Sequence, residues 1–322
     1  MKNILMISTK PSFNTFNDLA FAFSVIEGRD IKYTNWLISH FISVFYRKKW
    51  NAICFKMPYC YKWSCFRSKI IIYNSNRYNS FIKAMEKQIN NGRYIYLCVN
   101  ERYIPQRSDF NEKDYLHNIY IYGYDNEKKV FMTEAYNASK HFTQQEIPYE
   151  NVFFAQKNKR IKNVFISFYL KSNYNFEKPD IKKIKLQLLK YFFPISRNSG
   201  VNIFRYFTKH YNQDEIKMGY AKLLVEHINV LSKLELIEYY NFNSNELIKL
   251  SENLYYISLK YTITNKKELL DEALCLLEKI KKYEVKAFKS YFDNEFHQIV
   301  SKLYMKKYSE YFDSYKKGEK YD

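Results

Sequence analysis

Apolar residues in the first part of the chain fall into blocks at helical spacing, separated by polar or glycine stops. Asn17 to Glu27 (NDLAFAFSVIE) is apolar around most of a helical circumference and predicts a buried helix. Gly28 stands just past its end, where a left-handed residue costs a glycine little. A second apolar helix is predicted from Thr34 to Arg47, and a third from Tyr78 to Asn91, stopped by Gly92. Between them AICFKM and KIIIY are short and β-branched, so they read as strands. Three more strand candidates follow: Tyr94 to Val99, Asn118 to Tyr124 and Val130 to Ala135. The last two are joined by a polar turn at 125–129, which predicts a hairpin. Asn163 to Leu170 adds a further strand.

Beyond Pro179 the pattern changes to apolar residues three and four apart. It runs through KKIKLQLLKYFF, IFRYFTKHY, YAKLLVEHINVLSKLELIEYY, ELIKLSENLYYISLKY and KELLDEALCLLEKIKKYEVKAFKSYF. Pro194 and the Asn-Ser-Gly at 198–200 break it, and the tail from Lys306 is Lys/Glu/Tyr-rich and frays. The fold class is therefore α+β: an N-terminal domain over 1–172 with an antiparallel sheet, then an all-helical C-terminal domain over 173–322.

Composition adds three limits. With 47% hydrophobic residues among 322, the chain can bury a sizeable core, which excludes global disorder. No apolar run approaches the ~20 residues of a membrane span, and the start shows no signal-peptide pattern, which predicts a cytoplasmic protein. The five cysteines (Cys54, Cys60, Cys65, Cys98, Cys275) lack a CxxC spacing or a nearby histidine and read as free thiols, with no metal site. The net charge of +19 reads first as a solvated Lys-rich surface, next as a surface for an acidic protein partner and last as one for nucleic acid, because only ten of the 52 basic residues are Arg and no nucleic-acid motif is present.

Candidate chemistry sits on the hairpin YLHNIYIYGYDNEKKVFMTEAYN. His117 opens one strand and Glu134 closes the other, so adjacent antiparallel strands can bring them together. A carboxylate there would accept the Nδ1 proton and leave Nε2 as a base. Asn137 is a reserve orienter. Tyr103 and Arg107, in the preceding loop ERYIPQRSDF, are placed at the rim of a cleft, where Arg107 meets a phosphate or pairs with a carboxylate such as Asp109. His141, His210, His227 and His297 are read as structural.

This hairpin resembles the His-to-Asp hairpin of the C39-type, papain-like cysteine peptidases. It is also similar to the BtrH-like proteins of antibiotic, peptide-synthetase-type gene clusters, in which a helical domain follows that fold. FNTFNDLAFAF resembles the family's first helix, and GVNIFRYFTKHY with YAKLLVEHINVLSKLEL resembles the helical half of the BtrH-like proteins. The resemblance implies a nucleophilic cysteine about five residues before Leu19-Ala20, but Asn14 stands there, followed by Thr15. Ser8 occupies the place of the oxyanion-hole glutamine. Peptide hydrolysis through a thioester intermediate is therefore not expected. Asn14 either caps the helix or polarises a substrate carbonyl, and Thr15 is a weak replacement nucleophile.

What the resemblance implies instead is an acyl- or aminoacyltransferase that forms amides. Its donor would be a thioester on the phosphopantetheine arm of an acidic carrier protein, its acceptor a small amine, with no further cofactor. The alternative is a non-catalytic papain-like relative that binds a carrier protein, an intermediate or a partner subunit. A homodimer is compatible with either.

Overall fold

The computed structural model describes residues 1–47, 52–74, 77–139, 141–158, 160–192, 194, 199–200, 202–203, 206, 217–233, 245–264 and 266–289. Most of IFRYFTKHY, His210, His297 and the tail from Lys306 lie outside these residues. The chain divides into two compact units that are not consecutive stretches. One takes Met1–Tyr33 and Met57–Phe176; the other takes Thr34–Lys56 and the chain from Glu177 onward.

The first unit is built on an antiparallel sheet with neighbours in the order β4, β9, β5, β6, β7, β8, and with β1 also on β6. The strands are β1 (Lys2–Ile4), β4 (Phe66–Ile72), β5 (Tyr94–Asn100), β6 (Leu116–Asp125), β7 (Val130–Tyr136), β8 (Phe142–Pro148) and β9 (Val164–Leu170). The β6–β7 hairpin forms as its sequence predicts. In its turn the Asp125 carboxylate accepts the Glu127 and Lys128 amides, and Lys129 adopts φ 55°. Strands β1 and β8 and the short helix α4 (Tyr149–Ala155) escape the sequence pattern. FTQQEIP alternates weakly, and three residues are too few to show a period.

Helix α1 (Asn17–Glu27) covers one face of the sheet and is buried from Leu19 through Ile26, as its all-round apolar sequence requires. Phe21 stacks on Tyr120 of β6 with ring centroids 4.3 Å apart, and Phe23 stacks on Phe13 at 4.3 Å. The opposite face carries α3 (Tyr78–Asn90) and α4, whose Phe81, Met85, Ile89, Val152 and Phe153 pack on Leu97, Ile119 and Phe165. Each such side chain contributes ~1.5–3 kcal/mol by leaving water.

The glycine after α1 serves a different purpose from the one its position suggests. Gly28 is right-handed (φ −62°), and a Cβ on it would lie 2.6 Å from the Ile7 backbone. The segment before α1 passes over the helix end at Gly28, and the Ser8 amide bonds the Ser24 carbonyl at 2.8 Å. Gly92, by contrast, does adopt φ +69°.

The second unit contains helices, but it also contains a two-stranded ribbon. The helix predicted over Thr34 to Arg47 stops at His40 (α2, Thr34–His40). Val44–Arg47 (β2) instead pairs antiparallel with Ala52–Phe55 (β3). Phe45, Tyr46 and Ile53 favour a pleated pairing once a partner is available, a tertiary preference that outweighs local helical spacing. The remaining described helices are α5 (Ile181–Phe192), α6 (Lys217–Ser232), α7 (Asn245–Thr264) and α8 (Lys267–Lys289). α2 docks on α5 through Ser39, whose hydroxyl accepts the Asp180 amide at 2.9 Å. His227 is fully buried, bonds the Ile42 carbonyl at 2.8 Å and meets Tyr191 edge-on. Burial lowers its pKa to about 4, so it is a neutral core residue. Among the described residues no helix is long and apolar enough to cross a membrane.

Candidate active site

His117 sits second in β6, opposite Val99 of β5. The chain leaves β5 at Asn100 and turns at once into a short helical turn, Glu101–Tyr103. Glu101 is therefore two residues beyond the one facing His117, the diagonal same-face neighbour across an antiparallel pair. Its Oε1 lies 2.8 Å from His117 Nδ1. Asn100 fixes this corner: its Oδ1 accepts the Arg102 and Tyr115 amides, and its Nδ2 donates to Asp114 at 2.9 Å. The Glu101 amide also bonds the Tyr115 carbonyl at 2.8 Å, so the loop between β5 and β6 is closed at its base.

Glu101 is buried and shared. Arg107 Nε stands 3.4 Å from the same Oε1, and Arg107 Nη1 donates to the Tyr136 carbonyl. Arg107 is only 4% exposed; burial lowers its pKa and the Glu101 charge opposes that, leaving it a cation that balances the carboxylate. A carboxylate only accepts, so in the neutral ring Nδ1 carries the proton and Nε2 keeps its lone pair. The His117 side chain is 36% exposed, so this base is open to solvent while its orienting partner is not.

What faces Nε2 is the first turn of α1. Asn17 Nδ2 lies 3.5 Å from His117 Nε2, a long and weak contact, and donates to the Asn118 carbonyl at 3.2 Å. Asn17 is buried, and its Oδ1 has no hydrogen-bond partner. The helix has no side-chain cap at Phe16, so the first backbone amides of α1 are not taken up by a capping side chain. Next along, Asp18 accepts from the Tyr120 hydroxyl through Oδ1. Burial raises the Asp18 pKa, while the Tyr120 bond and the nearby His117 lower it. Tyr120 also touches Cys60 Sγ at 3.6 Å, but burial pushes that thiol well above its usual range, so it is a poor nucleophile.

The residues singled out from sequence separate into those near this centre and those elsewhere. His117 is at the centre. Glu134 is not its partner: it pairs with Tyr120, three residues further along β6, and so lies on the opposite face of the sheet. There it is fully buried with neither carboxylate oxygen hydrogen-bonded, and burial pushes its pKa up to about 8. Ser24 on α1 is near enough to lower that value somewhat, yet its hydroxyl donates to the Ala20 carbonyl at 2.9 Å.

Asn137 holds the β7–β8 turn instead, its Oδ1 accepting the His141 amide at 3.0 Å. Arg107 is an interior ion-pair partner of Glu101, not a rim residue, and Asp109 pairs with Lys113 at 3.3 Å. Tyr103 is 41% exposed, and its carbonyl accepts from Asn151 at 2.9 Å. Asn14 reaches back to the Pro11 carbonyl at 3.4 Å, and both it and Thr15 precede the helix. Asn17, the residue that meets His117, lies three positions beyond Asn14, at the first residue of the helix. Glu101, Asn17 and Asp18 were missed. The polar first turn of α1 was the available signal for the last two, but Glu101 required the β5–β6 register.

No protein-family model matches this chain. No curated protein matches it either.

Proposed function

We propose that this protein is a cytoplasmic, papain-like transferase of the BtrH-like kind, moving an acyl or aminoacyl group from a carrier-protein thioester to a small amine. The observation that carries the reading is the 2.8 Å contact between buried Glu101 and half-exposed His117, with Nε2 left toward the uncapped N-terminus of α1. In the reaction the amine nitrogen attacks the thioester carbonyl carbon, and its proton passes to His117 Nε2. The carbon–sulfur bond then breaks, and the proton leaves with the carrier thiol. The first amides of α1 and the Asn17 amide group supply donors for the carbonyl oxygen as charge develops there. A bound thioester is already activated, so no covalent acyl-protein is required; base catalysis adds ~10²–10⁴-fold to alignment. The net charge of +19 suits an acidic carrier.

The test is intact-mass analysis after mixing an acyl-loaded carrier, a primary amine and the protein. Amide product with no acyl adduct on this chain is expected. An adduct would mean that a nucleophile other than those assigned here acts, and absence of amide would remove the reading.

A second reading follows from Asn17 itself. An amide facing Nε2 gives the base no nucleophile of its own, which favours a binding shell for a carrier or an intermediate. Carrier capture without turnover, unchanged by His117→Ala, is its signature.

A further inference from the structure

Asp18, the residue after Asn17, brings a second carboxylate to the centre. It is half-buried in the first turn of α1, where the helix N-terminus favours an anion. Its Oδ1 accepts from the Tyr120 hydroxyl, and three more tyrosines continue outward from that ring. Tyr96 of β5 pairs with Tyr120, their ring centroids 5.3 Å apart. Tyr61 lies 5.1 Å from Tyr96, and Tyr59 stacks parallel to Tyr61 at 5.7 Å. Tyr120 is fully buried, Tyr96 and Tyr61 are half-buried and Tyr59 is 40% exposed, so the cluster climbs from the core to solvent. Burial and then the Asp18 charge raise the Tyr96 pKa; burial, Tyr59 and Asp18 raise that of Tyr61. The carboxylate is thus within electrostatic reach of both hydroxyls.

The two carboxylates of the centre differ in charge balance. Glu101 has Arg107 behind it, whereas among the described residues no lysine or arginine forms an ion pair with Asp18. Asp18 Oδ2 accepts no hydrogen bond among those residues, and it is not one of the buried unpartnered oxygens, so it stands open to a ligand. The nearby cationic group is His117, which must be neutral to act as a base and then leaves the Asp18 charge unbalanced. A carboxylate beside tyrosine faces and hydroxyl oxygens is a donor set for an ammonium group. The chain carries a net charge of +19, so its long-range field repels cations and selection here is by contact. We propose that Asp18 with Tyr59, Tyr61 and Tyr96 holds a cationic group of the acceptor, which is therefore a diamine rather than a neutral or acidic amine. The inference rests on the acyl-transfer reading and adds the class of acceptor. The reacting nitrogen meets His117 Nε2 as the free base, while the second nitrogen keeps its proton at Asp18. Asn17 and Asp18 are consecutive, so one small molecule spans both positions.

The test compares cadaverine with pentanediol, the same chain with hydroxyls in place of both ammonium groups, by calorimetry with no thioester present. Cadaverine is expected to bind the parent protein at least tenfold more tightly than pentanediol. Asp18→Asn keeps an oxygen for the Tyr120 hydroxyl and removes the charge, and is expected to abolish most of that preference. Equal binding of the two probes would overturn the proposal, as would undiminished cadaverine binding by Asp18→Asn. Should Asp18→Asn fail to fold, the probe ratio of the parent still decides, and Tyr61→Leu is expected to weaken cadaverine binding severalfold. With an acyl-loaded carrier added, kcat/KM for cadaverine is expected to exceed that for aminopentanol at least tenfold, through KM rather than kcat. Cadaverine binding without amide formation would contradict the reaction but not the subsite. Amide formation with equal kcat/KM for the two acceptors would overturn the subsite and leave the reaction standing.

Discussion

Glu101 accepts the Nδ1 hydrogen bond of His117 at 2.8 Å from a position two residues beyond its strand partner, and Arg107 holds the same oxygen from behind. The carboxylate therefore works as the hub of a buried pair and as the orienter of an exposed ring. These two roles are separable by substitution.

Removing the carboxylate alone strands a buried cation. Glu101→Leu is expected to cost ~3–5 kcal/mol of stability, as breaking a buried pair usually does. Adding Arg107→Met is expected to return a substantial part of that loss, since replacing both partners by apolar groups is far less costly. Urea unfolding of the two single variants and the double provides the cycle. Strictly additive losses would contradict the pairing.

The position facing Nε2 is expected to support a thiolate. Asn17→Cys places a thiol at the N-terminus of α1 beside His117, an environment that lowers thiol pKa values into the ~3.5–7.5 range. Ultraviolet thiolate absorbance, as the difference between variant and parent, is expected to titrate below pH 7.5 and to move upward when His117→Ala is added. Titration near the ordinary value of ~8.5 would place this side chain away from the imidazole.

Glu134 predicts a pH dependence of the fold. Its folded pKa, about 8, lies above the ordinary Glu value, so the folded state holds a proton that the unfolded chain releases. That contribution is complete below about pH 4.5 and disappears as pH rises through about 8. Glu134→Gln keeps the neutral shape and removes the titration. Its melting temperature is expected to match the parent at pH 5 and to exceed it by several degrees at pH 9. A constant difference across that range would mean that the carboxyl is not buried as described.

Local patterns made much of the sheet unit readable. The all-round apolar α1, the Gly92 stop and the polar turn at 125–129 are each specified by neighbouring residues, and each forms as its sequence implies. The centre itself was only half legible. His117 stands out because histidine at a strand start beside a hairpin is a local feature, whereas its partner depends on register. β6 has neighbours on both sides, and the sequence offered a carboxylate on β7 without revealing that Glu134 aligns with Tyr120 instead of His117. The same limit moved the facing residue from Asn14 to Asn17, because the start of α1 sets which side chain the first turn presents. In Thr34 to Arg47 the apolar spacing fits a helix, but Val44–Arg47 pairs with a strand that the local sequence cannot weigh.

The most direct test of His117 as the base is the single-turnover rate of amide formation from an acyl-loaded carrier and a primary amine. With His117→Ala the rate is expected to fall by ~10²–10⁴-fold, the usual worth of a positioned general base, while carrier binding stays within about twofold. Amide formation by the variant at the parent's rate would contradict the assignment.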